Sequence, residues 1–347
     1  AGNMYDYIDE SNSFIHRYGP HIFHTNIDEV YNYLCRFSDF FPYEHKVIGR
    51  IKNKMVPIPF SLKTLEMLFS GNDVIRIKQL LINTFGENNK ISIIELRRHE
   101  NTEIRNLADF IYDNVFLNYT KKQWGLLPEE LDKTVTERIP VYISFDERYF
   151  QDKIQMMPSG GYTALFEKML EHPNITLKLN CDANDCIRPD LKNRTIEIDN
   201  KPFNGHLIYT GPIDELFDYK YGRLPYRSLN FEFVNIKKQY FQEAAVVNYP
   251  NDFNYTRISE FKQFTVKNVQ SDNTTIVYEY PCPYMGDNIP YYPIPQSQNE
   301  AKYLLYKREA EKFDNLYLIG RLAQYKYYNM DQVVASCINV FESKIKK

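Results

Sequence analysis

The chain has 347 residues, 43% hydrophobic and 25% charged, which is enough apolar mass for a substantial core and a length suited to two domains or one large discontinuous one. Lys and Arg number 42 against 45 Asp and Glu, a net charge of -3, so the strong basic excess of a nucleic-acid-binding domain is excluded. Disordered, collagen-like and coiled-coil classes are excluded by the same composition.

The aromatic content is unusual: 29 Tyr and 23 Phe beside one Trp. Tyrosine offers a flat face and a hydroxyl, which suits carbohydrate or nucleotide contacts, but codon bias toward Tyr, Asn, Ile and Lys gives the same excess. The cysteines, Cys35, Cys181, Cys186, Cys282 and Cys337, are odd in number and lack a CxxC pair. That pattern makes neither a disulfide framework nor a zinc site, and points to reduced thiols in the cytoplasm. The opening AGNMYDYIDE has neither the basic start nor the apolar run of a secretory signal, and no stretch approaches the ~20 apolar residues of a membrane span.

In chain order, residues 1–25 are polar and punctuated by Gly and Pro. From Ile27, the positions of Val30, Leu34 and Phe37 predict a short amphipathic helix. RIKNKMVPIPFSL is strand-like until Pro57 and Pro59 break it. From about Ser61 to Leu131 helical periodicity dominates, predicting a helical subdomain. Ile143–Tyr149 and Leu177–Ile198 are strand-like, and HLIYTGPID (206–214) resembles a buried strand leaving a sheet through a Gly-Pro turn. Residues 226–281 alternate as an antiparallel sheet would, then NLYLIGRL gives a buried strand and turn, and MDQVVASCINVFESKIK a final amphipathic helix. This order implies interleaved domains, α/β and α+β mixed.

No GxGxxG occurs; the paired glycines are Gly160-Gly161 in MPSGGYT, so these residues support neither a dinucleotide fingerprint nor a P-loop. No HExxH, GxSxG or kinase signature is present either. Arg17-Tyr18-Gly19-Pro20-His21-Ile22-Phe23-His24-Thr25-Asn26 puts two histidines three apart, which read alone is half a metal site or a pair of hydrogen-bonding rings.

The string YGPHIFHTN resembles the hallmark of the UDP-galactopyranose mutases, flavoenzymes of galactofuranose biosynthesis. The resemblance continues in order through PIPF, YTKKQWG, ERIP with DERYF, MPSGGYT, YTGPIDELFDY with GRLPYRSL, NYTRISE, YYPIP and GRLAQYKYYNMD. It implies an FAD-binding Rossmann-like domain over 1–40, 156–225 and 313–347, a helical subdomain over 60–135, and an antiparallel substrate domain over 41–59, 136–155 and 226–312. Family members begin with a strand, a GxGxxG turn and a helix that cradle the FAD pyrophosphate. The AGN start resembles the sequence just downstream of that unit, so the FAD domain is expected to be truncated at the N-terminus. A non-catalytic sugar-nucleotide-binding relative is the competing expectation.

Residue by residue, the resemblance makes Arg138 and Arg257 the diphosphate-binding arginines, a role that suits a permanently charged, bidentate fork. Tyr149, Tyr292 and Tyr327 match the tyrosines that donate hydroxyl hydrogen bonds to the diphosphate, with Tyr291 close enough to confuse the second assignment. Phe116, Tyr119 and Thr120 share a helix face by their spacing. By resemblance that face receives uracil with Tyr119 stacked on the ring, and Trp124 opens the loop that closes over substrate. Read without the resemblance, the same stripe is core packing. Val115 replaces a frequent second aromatic, Tyr142 a frequent arginine, and Asn329 a common aspartate. His45 and Asn329 match positions near the sugar. His21, His24, Gly160, Gly161, Tyr162, Gly320 and Arg321 match positions near the flavin. The implied reaction interconverts UDP-galactose and UDP-galactofuranose through a reduced-FAD N5–sugar adduct with no net redox change, in a cytoplasmic homodimer with no nucleic-acid partner.

Overall fold

A computed structural model describes residues 2–132, 139–265 and 271–346. Two compact units are found. The first comprises Ala1–Asn26, Cys35–Lys168 and Leu229–Cys282, and the second Ile27–Leu34, Met169–Ser228 and Pro283–Lys347.

The first unit is organised on a sheet whose neighbouring strands are Tyr226–Ile236 (from Leu229 on in this unit), Thr274–Pro283, Arg257–Glu260, Val246–Asn248, Val47–Ile51 and Lys54–Ile58. Val246–Asn248 pairs in parallel with Val47–Ile51 and antiparallel with Arg257–Glu260. Alternation builds its face: Val47, Ile51, Val56 and Ile58 are buried. Gly49 is required there, because a Cβ would lie 2.8 Å from Ile58 Cγ1. Pro57, expected to break the strand, lies inside Lys54–Ile58; the strand is at the sheet edge, where a missing N–H costs no ladder bond.

The expected helices follow, and three of them have a sequence-coded start. Ser61 Oγ accepts from Thr64 N, Ser92 Oγ from Glu95 N, and Asn101 Oδ1 from Glu103 N and Ile104 N, capping helices Leu62–Leu68, Ile93–Arg97 and Thr102–Ile111. Ile104, Leu107, Ala108 and Ile111, spaced i, i+3, i+4, i+7, are the buried stripe of the last of these. Each buried Ile or Leu contributes about 1.5–3 kcal/mol. Strands Phe23–Thr25, Ile154–Pro158 and Phe40–Pro42 form a second, antiparallel sheet that holds the histidine segment. Of the strand-like stretch Ile143–Tyr149, none becomes strand; the neighbouring Val141–Tyr142 does. The Asp146 carboxylate accepts the Arg148 N–H at 2.9 Å, a local turn that competes with extension.

In the second unit, Leu207–Tyr209 and Leu316–Leu318 pair in parallel, and Ile187–Asp190, Thr195–Ile198 and Lys201–Phe203 form an antiparallel sheet. Its core gathers Ile196, Leu207, Tyr209, Ile213, Leu216, Phe217, Tyr226, Tyr306 and Phe313. Helix Asp28–Leu34 packs against Met330–Val340. The strand expected from Leu177 begins only at Ile187: residues 177–182 are coil, with Leu177 and Leu179 exposed. Alternation alone does not make a strand; a pairing edge is needed, and none of the described residues supplies it.

Candidate active site

In the first unit, helix Thr102–Ile111 runs into a π-helical turn, Tyr112–Phe116, and then helix Leu117–Trp124. The wide turn, a feature frequent at functional sites, brings the consecutive Val115 and Phe116 to one recess. Tyr119, Thr120 and Trp124 line it one and two turns later, so the face expected from spacing is real; Ile58, Ile139, Asn248 and Pro250 complete the lining. Asn248 was not singled out in the sequence. Its Oδ1 is buried and has no hydrogen-bond partner among the described residues. A buried amide oxygen in that state is a place for a ligand N–H.

Register sets what adjoins the recess. Asn248 stands directly across from Arg257 on the next strand, so their Cβ atoms share a sheet face about 4.5–5.5 Å apart. Arg257 Nε donates to Glu279 Oε1 at 2.6 Å, and Glu279, its cross-strand partner, is 1% exposed. The pair fixes the guanidinium plane.

The histidines follow from the second sheet. His45 is buried, and burial, followed by the positive fields of Arg257 and His24, pushes its imidazole pKa down to about 3, so the ring is neutral. Its Nδ1 is buried without a partner among the described residues. Tyr149 sits edge-on to it at 5.7 Å between centroids, and the Tyr149 N–H donates to the His45 carbonyl at 2.7 Å. Phe150 stacks on both His24, at 3.6 Å, and His45, at 5.9 Å. His24 Nδ1 bonds Asp152 Oδ2 at 2.8 Å, a contact that holds the Asp152 carboxyl below the usual carboxylate range. Imidazoles, Tyr149 and Arg257 thus form one cluster, and Phe150 and Asp152 are members that motif reading did not name. Among the described residues no three His, Cys, Asp or Glu side chains gather as a metal site requires.

The glycine pair lies against the first strand of the chain. A Cβ on Gly161 (φ +83°) would meet Asp6 Oδ2 at 2.7 Å and Phe14 at 2.8 Å, so the close approach there is made by the chain itself. The Asp6 carboxylate accepts from the N–H groups of Tyr162, at 2.6 Å, and Thr163, at 2.8 Å, occupying the N-terminus of helix Gly161–Leu170. The Tyr162 hydroxyl donates to the His21 carbonyl at 3.1 Å, so this helix supports the histidine segment from behind. At Gly160 a Cβ would meet only Ala164, at 3.6 Å.

In the second unit, Tyr292 and Tyr327 lie 5.3 Å apart between centroids, and the Arg321 guanidinium sits over both rings, at 5.1 and 5.0 Å. Arg321 also donates to the carbonyls of Tyr291, at 3.2 Å, and Tyr328, at 2.7 Å. Tyr291 is buried while Tyr292 is half-buried, so Tyr292 is the tyrosine of this pair placed to meet a ligand. Gly320, φ +91°, has nothing within 4 Å of a built Cβ, leaving its backbone open to close approach. Asn329 stands at the start of helix Met330–Val340, its N–H donating to Gln332 Oε1 at 2.9 Å. Arg138 lies outside the described residues.

An aromatic recess with a buried amide, adjoining an arginine, is suited to a planar polar ring beside an anion. The fold matches a crystal structure of reduced UDP-galactopyranose mutase with a TM-score of 0.69, at 16% identity, over 98% of this chain and 87% of that one. The UDP-galactopyranose mutase family model matches residues 114–327. The chain is 34% identical over 341 residues to a probable UDP-galactopyranose mutase of Klebsiella pneumoniae, covering 97% of this chain and 84% of the relative. It is 31% identical to a dTDP-fucopyranose mutase of Escherichia coli, covering 100% of this chain and 89% of that one. The chain belongs to the UDP-galactopyranose mutase family.

Proposed function

We propose that the protein interconverts UDP-galactopyranose and UDP-galactofuranose, an isomerisation without net redox change. The observation that carries this reading is the register of Asn248 with Arg257, which joins a recess suited to a stacked pyrimidine to a cation suited to a diphosphate. FAD is the cofactor we assign; in its reduced form it supplies the nucleophile that displaces UDP from the anomeric carbon. The residues we assign to hold it are His21, His24, Gly320 and Arg321, with Gly160, Gly161 and Tyr162 behind the histidine segment. The open backbone at Gly320 fits the approach of a polar ligand there, and His45 Nδ1, buried without a partner among the described residues, fits a polar ligand at its own position.

The chain's own contribution is binding, orientation and charge. Tyr119 stacks on uracil and Asn248 Oδ1 accepts a base N–H. Arg257, with Arg138, neutralises the diphosphate as it departs and holds it for return. Tyr149, Tyr292 and Tyr327 donate hydroxyl hydrogen bonds without adding charge that must be desolvated. His45, held neutral by burial, serves a sugar hydroxyl without competing for a proton, and Asn329 is assigned to the sugar as well. We assign a cytoplasmic homodimer; no described helix is long and apolar enough to cross a membrane.

The test is conversion of UDP-galactofuranose to UDP-galactopyranose by the purified protein with FAD and dithionite, followed by chromatography. Conversion that depends on reduction is expected. Binding of UDP without any conversion overturns the catalytic reading in favour of a non-catalytic nucleotide-binding relative.

A further inference from the structure

Lys122 lies on helix Leu117–Trp124, between the recess residues Thr120 and Trp124, yet it does not line the recess. Its ammonium reaches out of the helix and donates to the carbonyl of Tyr249 and to those of Asp252, at 3.2 Å, Phe253, at 3.4 Å, and Tyr255, at 3.1 Å. These carbonyls belong to one loop, 249–256. It leaves strand Val246–Asn248, whose last residue is the recess amide, passes through Pro250, and delivers Arg257 at the start of the next strand. A second tie runs beside it: Asn118 Nδ2 donates to Asn251 Oδ1 at 3.0 Å, and Asn251 Nδ2 to the Asn114 carbonyl at 2.9 Å.

Immobilising a lysine side chain costs rotamer entropy, and half-burying its charge adds to that cost. The helix needs neither for its own stability, since its buried residues and the Gly125 turn close it. What the contact does is fix the distance between the helix that carries Tyr119 and Trp124 and the loop that carries Pro250 and leads to Arg257.

We infer that Lys122 is a positioning residue for the nucleotide site, its ammonium clamping loop 249–256 to helix Leu117–Trp124 so that the base recess and Arg257 are pre-spaced for one ligand. The inference rests on the nucleotide reading of the recess given above. Its chemistry gives it a signature. Burial pushes the Lys122 pKa down to about 8, so the clamp loses a proton and a donor at mildly alkaline pH. The charged group on the loop that acts on it is the Asp252 carboxylate, which Arg50 of strand Val47–Ile51 also pairs at 3.7 Å; the titratable residues whose carbonyls it meets are Tyr249 and Tyr255. Burial raises Tyr249 above its ordinary value and Tyr255 to about 12, so neither hydroxyl imitates the effect.

The chain's single tryptophan, Trp124, lines the recess and reports directly on ligand. The experiment titrates UDP into the whole protein and follows Trp124 emission between pH 7 and 8.5, below the ionisation of the uracil N–H, with Lys122→Met and Lys122→Arg beside the unsubstituted chain. Affinity in the unsubstituted chain is expected to fall roughly two- to threefold across that range, because pre-organisation is lost without loss of a ligand contact. Lys122→Met should bind roughly tenfold more weakly already at pH 7. Lys122→Arg, whose guanidinium keeps its proton, should bind near normally at pH 7 and show a flat profile. Equal UDP affinity in Lys122→Met and the unsubstituted chain, or parallel alkaline falls in the unsubstituted chain and Lys122→Arg, overturns the inference and leaves the nucleotide reading standing. Should Lys122→Met fail to fold, the comparison with Lys122→Arg decides alone. No UDP-dependent change in the unsubstituted chain overturns both.

Discussion

Arg257→Ala is the obvious test of the phosphate site, and the structure says it perturbs two things at once. Besides leaving the ligand's diphosphate unclamped, it strands Glu279, which is 1% exposed and receives the Arg257 Nε hydrogen bond at 2.6 Å. Unit charges 4 Å apart interact by about 4 kcal/mol at an effective dielectric of 20, and removing one partner of a buried pair costs about 3–5 kcal/mol. The Arg257 side chain is itself 26% exposed, which favours the lower end, about 3 kcal/mol. Adding Glu279→Gln removes the orphan charge while keeping its shape, and should return about 2 of those 3 kcal/mol. The UDP site recovers nothing, because the lost charge-assisted hydrogen bonds are worth about 1.5–3 kcal/mol, roughly 10- to 100-fold in affinity, whatever stands at 279. The assay is urea unfolding followed by Trp124 emission, together with UDP titration of the same proteins. Arg257→Ala unfolding at the unsubstituted midpoint, or a double variant no more stable than Arg257→Ala, refutes the reasoning. Normal UDP affinity in the double variant refutes the assignment of Arg257 to the phosphates.

Asn248→Ala should leave the urea midpoint nearly unchanged, because its buried Oδ1 has no partner among the described residues, while UDP binds roughly tenfold more weakly; a stability loss with normal affinity would make Asn248 a structural residue. Asp6→Ala strips two amide hydrogen bonds from the start of helix Gly161–Leu170 and should cost about 2 kcal/mol in thermal or urea unfolding, with Asp6→Asn in between. Equal stability of all three would remove the carboxylate cap from the account. Glu309→Gln tests the second unit: hydrogen bonds from Lys312, then Tyr221 and Lys220, hold the Glu309 carboxyl at about 2. A depressed carboxylate contributes stability above its unfolded pKa that is lost as pH falls through the folded one, so circular dichroism should show the variant about 2 kcal/mol weaker at pH 7, after discounting for its exposed lysines, with the gap narrowing steadily below pH 4.5. A constant gap would assign the effect to packing.

Where local pattern decides structure, the sequence was readable. The stripe Ile104, Leu107, Ala108, Ile111 and the spacing of Phe116, Tyr119 and Thr120 need only helical periodicity, and both hold. Features that failed depend on partners distant in the chain. Leu177 and Leu179 alternate like a strand but no described strand pairs with them, and Pro57 is tolerated because of its place at a sheet edge. The Gly161 contact with Asp6 spans more than 150 residues, so the close approach that requires a glycine at 161 could not be read locally.

The tyrosines fall into two groups by their surroundings. Tyr209, Tyr226 and Tyr306 are core members, and burial raises all three hydroxyls above their ordinary range, as expected of rings used for volume. Tyr119, Tyr149, Tyr292 and Tyr327 instead line the recess, flank His45 or share the Arg321 guanidinium. What separates the groups is whether the ring packs into the core of the second unit or borders the recess, His45 or the Arg321 guanidinium, and that is fixed by tertiary contacts. Asn248 is the sharpest case. As one asparagine among many it carries no signal, and only the fold turns a strand residue into a wall of the aromatic recess, across from Arg257. The same holds for Lys122, whose carbonyl partners are more than 125 residues away and whose effect on the site passes entirely through a loop it does not belong to.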